Sequence, residues 1–416
     1  MNHLRRIIPC VLAFVLLGAA SPAQAAQPAD DANLSAGWLA RTLAENNDVA
    51  LLPAGGVDYA STAYALVGLR AAGVAGDQVA ASARAMAASG DAFIGAPDQA
   101  DSKATAISLM ILAMVAGGLD PSQYAGSAGT RDLYADLGAL IQADGAVSSG
   151  AKAYGQSFAI LALLSAPSGV PSAVTGWLLD QPCTDSTSVG YGGYGFSGPG
   201  SCDDVDPDST AMAVIALIDA GTPVMLLEPA RSYLVSVQDS SGGFASPYAG
   251  INANTTGLAV AALNAISQAA GTMTTASPSL SSDAEVVLGV GYLESLMYDC
   301  DAGSDVAGAM ALTSDARSAT QIDPLAPLDQ TVFFQATAQG IYGFVDKVTN
   351  PEMYGTMSPA EPESMCPVPE TTASSPVSPV PADSTTAANN WLWAIGGCLV
   401  VILVYIGWRL IISVRR

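Results

Sequence analysis

The chain has 416 residues, half of them hydrophobic and only 12% charged, with a formal net charge of −23. All 37 acidic residues lie between two apolar end segments, against 9 Lys and Arg in the same stretch. Such a surface repels nucleic acid and anionic lipid, so neither is an expected partner. The one histidine is His3, and it leaves with the leader described next, so histidine-dependent metal chemistry is excluded from the body of the chain.

Taken in chain order, residues 1–25 read as a secretory signal peptide. Arg5 and Arg6 precede an apolar run from Ile7 to Ala20, and Ala23-Gln24-Ala25 offers small residues for cleavage. Residues 26–350 form the expected folded domain. Residues 351–390 are a Pro/Ser/Thr-rich stalk without a run of large apolar residues, expected to be disordered. Residues 391–413 then read as a transmembrane helix: Trp391–Trp408 carries no charge, and its aromatic residues suit the two interfaces. Basic residues follow this span, which assigns residues 414–416 to the cytoplasm. The expected location is a single-pass plasma-membrane protein with its domain outside the cell.

Within the domain, one short Ala-rich pattern recurs six times. Its clearest copy is Asp58-Tyr-Ala-Ser61-Thr62-Ala63, and aligning the copies places Thr62 on Thr105, Gln156, Thr210, Thr256 and Thr337. The steps are 43, 51, 54, 46 and 81 residues, and a recurrence of this kind, each unit holding two helical stretches, marks stacked helix pairs. The first helices of the pairs are expected at Leu34–Glu45, Val79–Ala88, Asp132–Gln142, Ala173–Leu179, Glu228–Val237 and Ala284–Met297. The second helices start near 61, 104, 155, 209, 255 and 336. Asp58, Asp101, Asp208 and Asn254, or their Ser and Thr neighbours, are the expected N-caps, and Gly73, Gly117 and Gly221 the expected helix stops.

Four cysteines remain in an oxidising compartment once Cys10 leaves with the signal and Cys398 is placed in the span. An even count suggests two disulfides with three possible pairings, of which Cys183–Cys202 and Cys300–Cys366 are favoured. The first closes one glycine-rich loop; the second ties the last repeat to the stalk.

Gln238…Gly242-Gly243-Phe244 resembles the turn of the prenyltransferase and squalene-cyclase repeat family. Asp208-Ser209-Thr210-Ala211-Met212-Ala213-Val214 is similar to the inner-helix signature of the same terpenoid cyclase-like superfamily, and to the corresponding segment of the cobalamin carriers intrinsic factor and transcobalamin. The resemblance implies an all-α fold, an (α/α)6 toroid of six helix-pair repeats, with any ligand at one end of the inner ring.

The resemblance leaves the activity open. Zinc prenyltransferase chemistry lacks its histidine. Asp203-Asp204-Val205-Asp206-Pro207-Asp208 is close to the acid motif of squalene cyclases, which makes Asp206 a candidate catalytic acid, but Pro207 interrupts the pair. The same loop, through Asp204, Asp206 and Asp208, is a candidate calcium site against a plain helix-cap reading. The aromatic turn Tyr191, Tyr194 and Phe196, with the amides of Gln156, Asn252 and Asn254, is the candidate ligand mouth. A non-catalytic toroid that captures a corrinoid for a membrane importer, without a cofactor of its own, is the expected function. An isoprenoid-processing enzyme and a stalked interaction module are the alternatives.

Overall fold

The structure is a computed structural model that describes residues 28–96, 99–195, 199–271, 280, 281, 283–319, 327–345, 358 and 366. The expected signal peptide and transmembrane helix, and nearly all of the stalk, lie outside these residues. Among the described residues no helix is long and apolar enough to cross a membrane. The described residues belong to one compact unit, Met1–Pro367.

That unit is mostly helical. Its chain-ordered helices are α1 (Pro28–Glu45), α2 (Tyr59–Ala72), α3 (Gly76–Ser89), α4 (Asp91–Ile94), α5 (Ala100–Ala116), α6 (Leu133–Gly138) and α7 (Ala153–Leu164). They continue with α8 (Ser172–Leu179), α9 (Pro207–Asp219), α10 (Glu228–Val237), α11 (Ala253–Gly271), α12 (Ala284–Leu296), α13 (Ser314–Ser318) and α14 (Pro327–Gly340). The strands are two short antiparallel hairpins, Tyr124–Gly126 with Gly129–Arg131 and Phe244–Ser246 with Gly250–Asn252.

Six helices, α2, α5, α7, α9, α11 and α14, are central. In α9 every residue from Ser209 to Leu217 is buried, which is why the sequence there shows no polar stripe. Each central helix packs on the next in the order given, and α14 packs on α2. Hydrogen bonds tie the two chain ends of this series together: Trp38 Nε1 donates to the Asp305 carbonyl at 3.1 Å, and Tyr342 Oη to the Tyr64 carbonyl at 2.8 Å. Gly308, at φ 94°, lies against the Leu34 carbonyl of α1 so closely that a Cβ would collide with it. Gly145, Gly192 and Gly242 meet α8, α10 and α12 in the same manner, so one glycine contact docks each turn on the next flanking helix.

The recurring threonine is a clamp. Thr62 Oγ1 donates to the Asp58 carbonyl and accepts from the Ala50 N–H at 3.0 Å. Thr210, Thr256 and Thr337 repeat the arrangement with the N–H groups of Tyr194, Phe244 and Met310. Gln156 does the same work with its amide oxygen, which accepts from Val147 at 2.8 Å. Each clamp satisfies a buried backbone donor of the incoming turn, a group that is costly to leave unpaired.

Three expectations need correction. In the second copy the residues facing the common centre are Leu109 and Leu112, against Tyr64 and Val67 in the first, so Ile107, not Thr105, is the counterpart of Thr62. The caps of α9 and α11 are Asp206, accepting from the Ser209 N–H at 2.9 Å, and Asn252, accepting from the Thr255 N–H at 3.0 Å; Asp208 and Asn254 stand two residues inside. Asp101 lies inside α5, and Gly118 (φ 72°) takes the left-handed conformation expected of Gly117. Both disulfides pair as expected, Cys183 with Cys202 and Cys300 with Cys366, at Cα separations of 4.8 and 5.1 Å.

Candidate functional site

The N-terminal halves of α2, α7, α9 and α11 meet at one mouth. Tyr64 Oη and Tyr154 Oη lie 3.4 Å apart although 90 residues separate them in sequence. The Asp208 carboxyl is hydrogen-bonded by the Thr255 side chain, and Gln335 Nε2 donates to Asp58 Oδ2 at 3.0 Å. The first two contacts join α2 to α7 and α9 to α11 through their N-terminal halves, as parallel neighbours would, and the third reaches the cap of α2 from past the midpoint of α14. Beneath the mouth, Tyr64, Phe158, Met212, Leu258 and Tyr342 line an apolar cavity of about 20 Å³, room for little more than one water. The centre between these helices is therefore closely packed.

The residue two positions before the clamp is half-buried on all six central helices: Ala60, Thr105, Tyr154, Asp208, Asn254 and Gln335. This register puts one side chain per helix at the mouth. Tyr154 packs edge-on against Phe158 with centroids 5.0 Å apart, and Tyr64 lies tilted on the same ring at 5.8 Å. Burial pushes the Tyr64 hydroxyl up to about 12, with the charges of Asp58 and Asp208 adding to it. Burial also raises Tyr154 well above the ordinary tyrosine range. Both are neutral donors at any physiological pH.

Asp208 Oδ1 and Asn254 Oδ1 are buried atoms without a hydrogen-bond partner among the described residues, while the Ser209 side chain serves Asp206. Burial, and then the neighbouring Asp206 charge, push the Asp208 carboxyl up to about 6 against the bond from Thr255. Asp206, 2% exposed, is likewise raised by burial, although its cap bonds oppose the shift. Two unpaired acceptors on adjacent helix ends are unusual, since buried polar atoms are nearly always paired.

The residues singled out from the sequence fall into separate groups. Gln156 is 1% exposed and its amide is engaged by Val147, Gly145 and Val174. Asn252 is a buried cap, and Tyr194 is 2% exposed. Those three are built into the fold and present no surface to a ligand. Tyr191 is exposed at 42%, Asn254 stands at the mouth, and Phe196 lies outside the described residues.

Asp206, the candidate acid, is capped inward because Pro207 opens the helix at its first position, and the carboxyl that reaches the mouth is Asp208. Among the described residues no three His, Cys, Asp or Glu side chains are grouped as a metal ion would need. Tyr64 and Tyr154 also stand at this end and were not singled out from the sequence; for Tyr154 its distance from the clamp residue, shared with Asp208, was the available signal.

No family model matches the chain, and no curated protein matches it at a significant level.

Proposed function

We propose that the six helix pairs close into an α/α toroid that binds a small molecule at the mouth formed by the N-terminal ends of its central helices. In this reading the domain is carried outside the cell on a stalk and a C-terminal membrane helix, and it captures its ligand for a membrane importer without transforming it. The observation that carries the proposal is the pair of unpaired acceptors Asp208 Oδ1 and Asn254 Oδ1, with Asp208 beside the Tyr64–Tyr154–Phe158 aromatic group. A ligand with N–H donors and a flat apolar body satisfies both halves of that surface. A corrinoid, flat and edged with carboxamides, fits this description, and the resemblance to the cobalamin carriers points the same way.

Calorimetry of the full chain in detergent with cobinamide and cobalamin tests the corrinoid version; binding that Asp208→Asn weakens by about tenfold or more supports it. Absence of heat at protein concentrations well above micromolar rejects it.

One observation favours a second reading. A carboxyl raised to about 6 over an apolar floor is suited to donate a proton to an isoprenoid alkene. Turnover of a linear isoprenoid by the wild-type chain, absent from Asp208→Asn, would place the protein among the enzymes instead.

A further inference from the structure

Away from the mouth, α1 is held to the far part of the chain by two kinds of contact. From its middle onward it uses groups that keep one protonation state near neutrality. Trp38 Nε1 donates to the Asp305 carbonyl at 3.1 Å, Arg41 Nη2 donates to the Ala307 carbonyl at 3.4 Å, and the Leu34 backbone packs on Gly308. The first turns use carboxyls. Asp31, only 4% exposed, meets Glu294 of α12 in a hydrogen bond between the two side chains. We infer that this pair is a proton-operated clasp: a hydrogen shared by Asp31 and Glu294 docks the start of α1 on α12, and its loss to solvent releases those turns while the rest of the helix stays seated.

The behaviour follows from what two carboxyls can exchange. An ionised carboxyl only accepts, so a bond within the pair exists only while one member carries a proton. Apart from Glu294, the described residues offer no donor to Asp31 Oδ2. The charged groups acting on Asp31 are Glu294 from α12 and Asp30 from its own helix, both acidic. Arg41 lies about 15 Å further along α1 and is engaged with the Ser304 and Ala307 carbonyls. Full ionisation would therefore leave a buried Asp31 charge beside that of Glu294, a cost that undocking relieves by letting Asp31 reach water. Glu294 is exposed, which gives the proton its way out. Burial, and then the Glu294 charge, push Asp31 up to about 7, so the proton leaves in the neutral range. The neighbouring bond, Ser35 Oγ to Met297 Sδ at 3.4 Å, is weak, and undocked helical turns fray in water.

Hydrogen exchange of the full chain in detergent tests the clasp, at pH 6 and pH 8.5 after correction for hydroxide catalysis. Amide protection over residues 32–36 should fall about tenfold between the two values, because a raised folded-state pKa gives stability that is lost as pH rises through it. At pH 8.5 it should also lie well below the protection of residues 209–217 in α9, which marks local release rather than unfolding of the whole. Asp31→Asn puts a permanent donor opposite Glu294 and should keep the protection at both pH values. Glu294→Gln, donating to an ionised Asp31, should do the same, and loss of the step in either folded variant supports the inference. A wild-type chain without the step, or a step that persists in both variants, overturns it. So does protection over residues 32–36 equal to that of α9 at pH 8.5, since the start of α1 would then open only with the entire fold.

Discussion

The ends of α2 and α9 carry one local pattern, Asp-x-x-Ser-Thr-Ala, at Asp58–Ala63 and Asp206–Ala211, and they use their carboxylates differently. Asp58 is saturated: Oδ1 accepts from the Ser61 N–H, and Oδ2 accepts from Ser61 Oγ at 2.7 Å and from Gln335 at 3.0 Å. Asp206 makes the same first bond and is also served by the Ser209 side chain, but Asp208, whose Oδ1 has no partner among the described residues, stands where the first copy has Ala60. The cap and clamp are thus properties of the repeat, while the extra carboxyl and the missing partners are properties of one place in it. A stable fold has no use for the second set, which is the reason to read it as a site.

The largest expected effect comes from breaking the seam that brings α2 into the mouth. Gly308→Ala should cost about 3 kcal/mol, because the new Cβ meets the Leu34 carbonyl at a positive φ. Hydrogen exchange should show the loss of protection concentrated in α1 and α2 rather than α9. Next in size, the clamp should matter equally at both ends. Thr62→Val and Thr210→Val each leave a buried N–H unpaired, at about 1–3 kcal/mol by chemical denaturation, and a large inequality between them would break the equivalence.

The caps should then separate. Asp58→Ala should lose about 1–2 kcal/mol, since it removes a cap and strands Gln335. Asp208→Asn should leave the melting temperature at neutral pH unchanged or raise it, because the carboxylate it removes is poorly paired.

The smallest effect is on pH. The folded-state pKa of Asp208 is raised to about 6 and that of Asp31 to about 7, the latter by burial and then by Glu294, which is itself raised. The folded chain therefore holds more protons than the unfolded chain between the ordinary carboxyl range and these values. That stabilisation is complete at low pH and is lost as pH rises through 6 to 7. The melting temperature should fall by about 3 °C or more from pH 5 to pH 8. The fall should be smaller in Asp31→Asn; a rise with pH would contradict the assignment.

Much of the helical frame was legible. The clamp residue must recur because each incoming turn needs its acceptor, and Ala-rich runs must surround it because those helices are buried all round. The caps were read two residues late at α9 and α11. At α9 the signal was present, since Pro207 belongs at the first helical position and makes Asp206 the cap. At α11 it was not, since only the hairpin partner of Asn252, Phe244, fixes where the strand ends and the helix begins. The second copy slipped because Ile107 lacks the hydroxyl that marks the clamp elsewhere. The amides of Gln156 and Asn252 looked available because sequence shows a donor and acceptor but not the backbone groups that consume them. The Tyr64–Tyr154 contact depends on the packing of α2 near α7, helices that are not successive in the series, which no local pattern encodes.

The central claim is that the α9–α11 end of the mouth holds a ligand through Asp208. Native mass spectrometry of the full chain, purified in detergent from its own host, tests it most directly. The account predicts a small-molecule adduct on the wild-type chain that is absent from an equally folded Asp208→Asn chain. A wild-type chain that emerges bare, or an adduct kept equally by both, would contradict it.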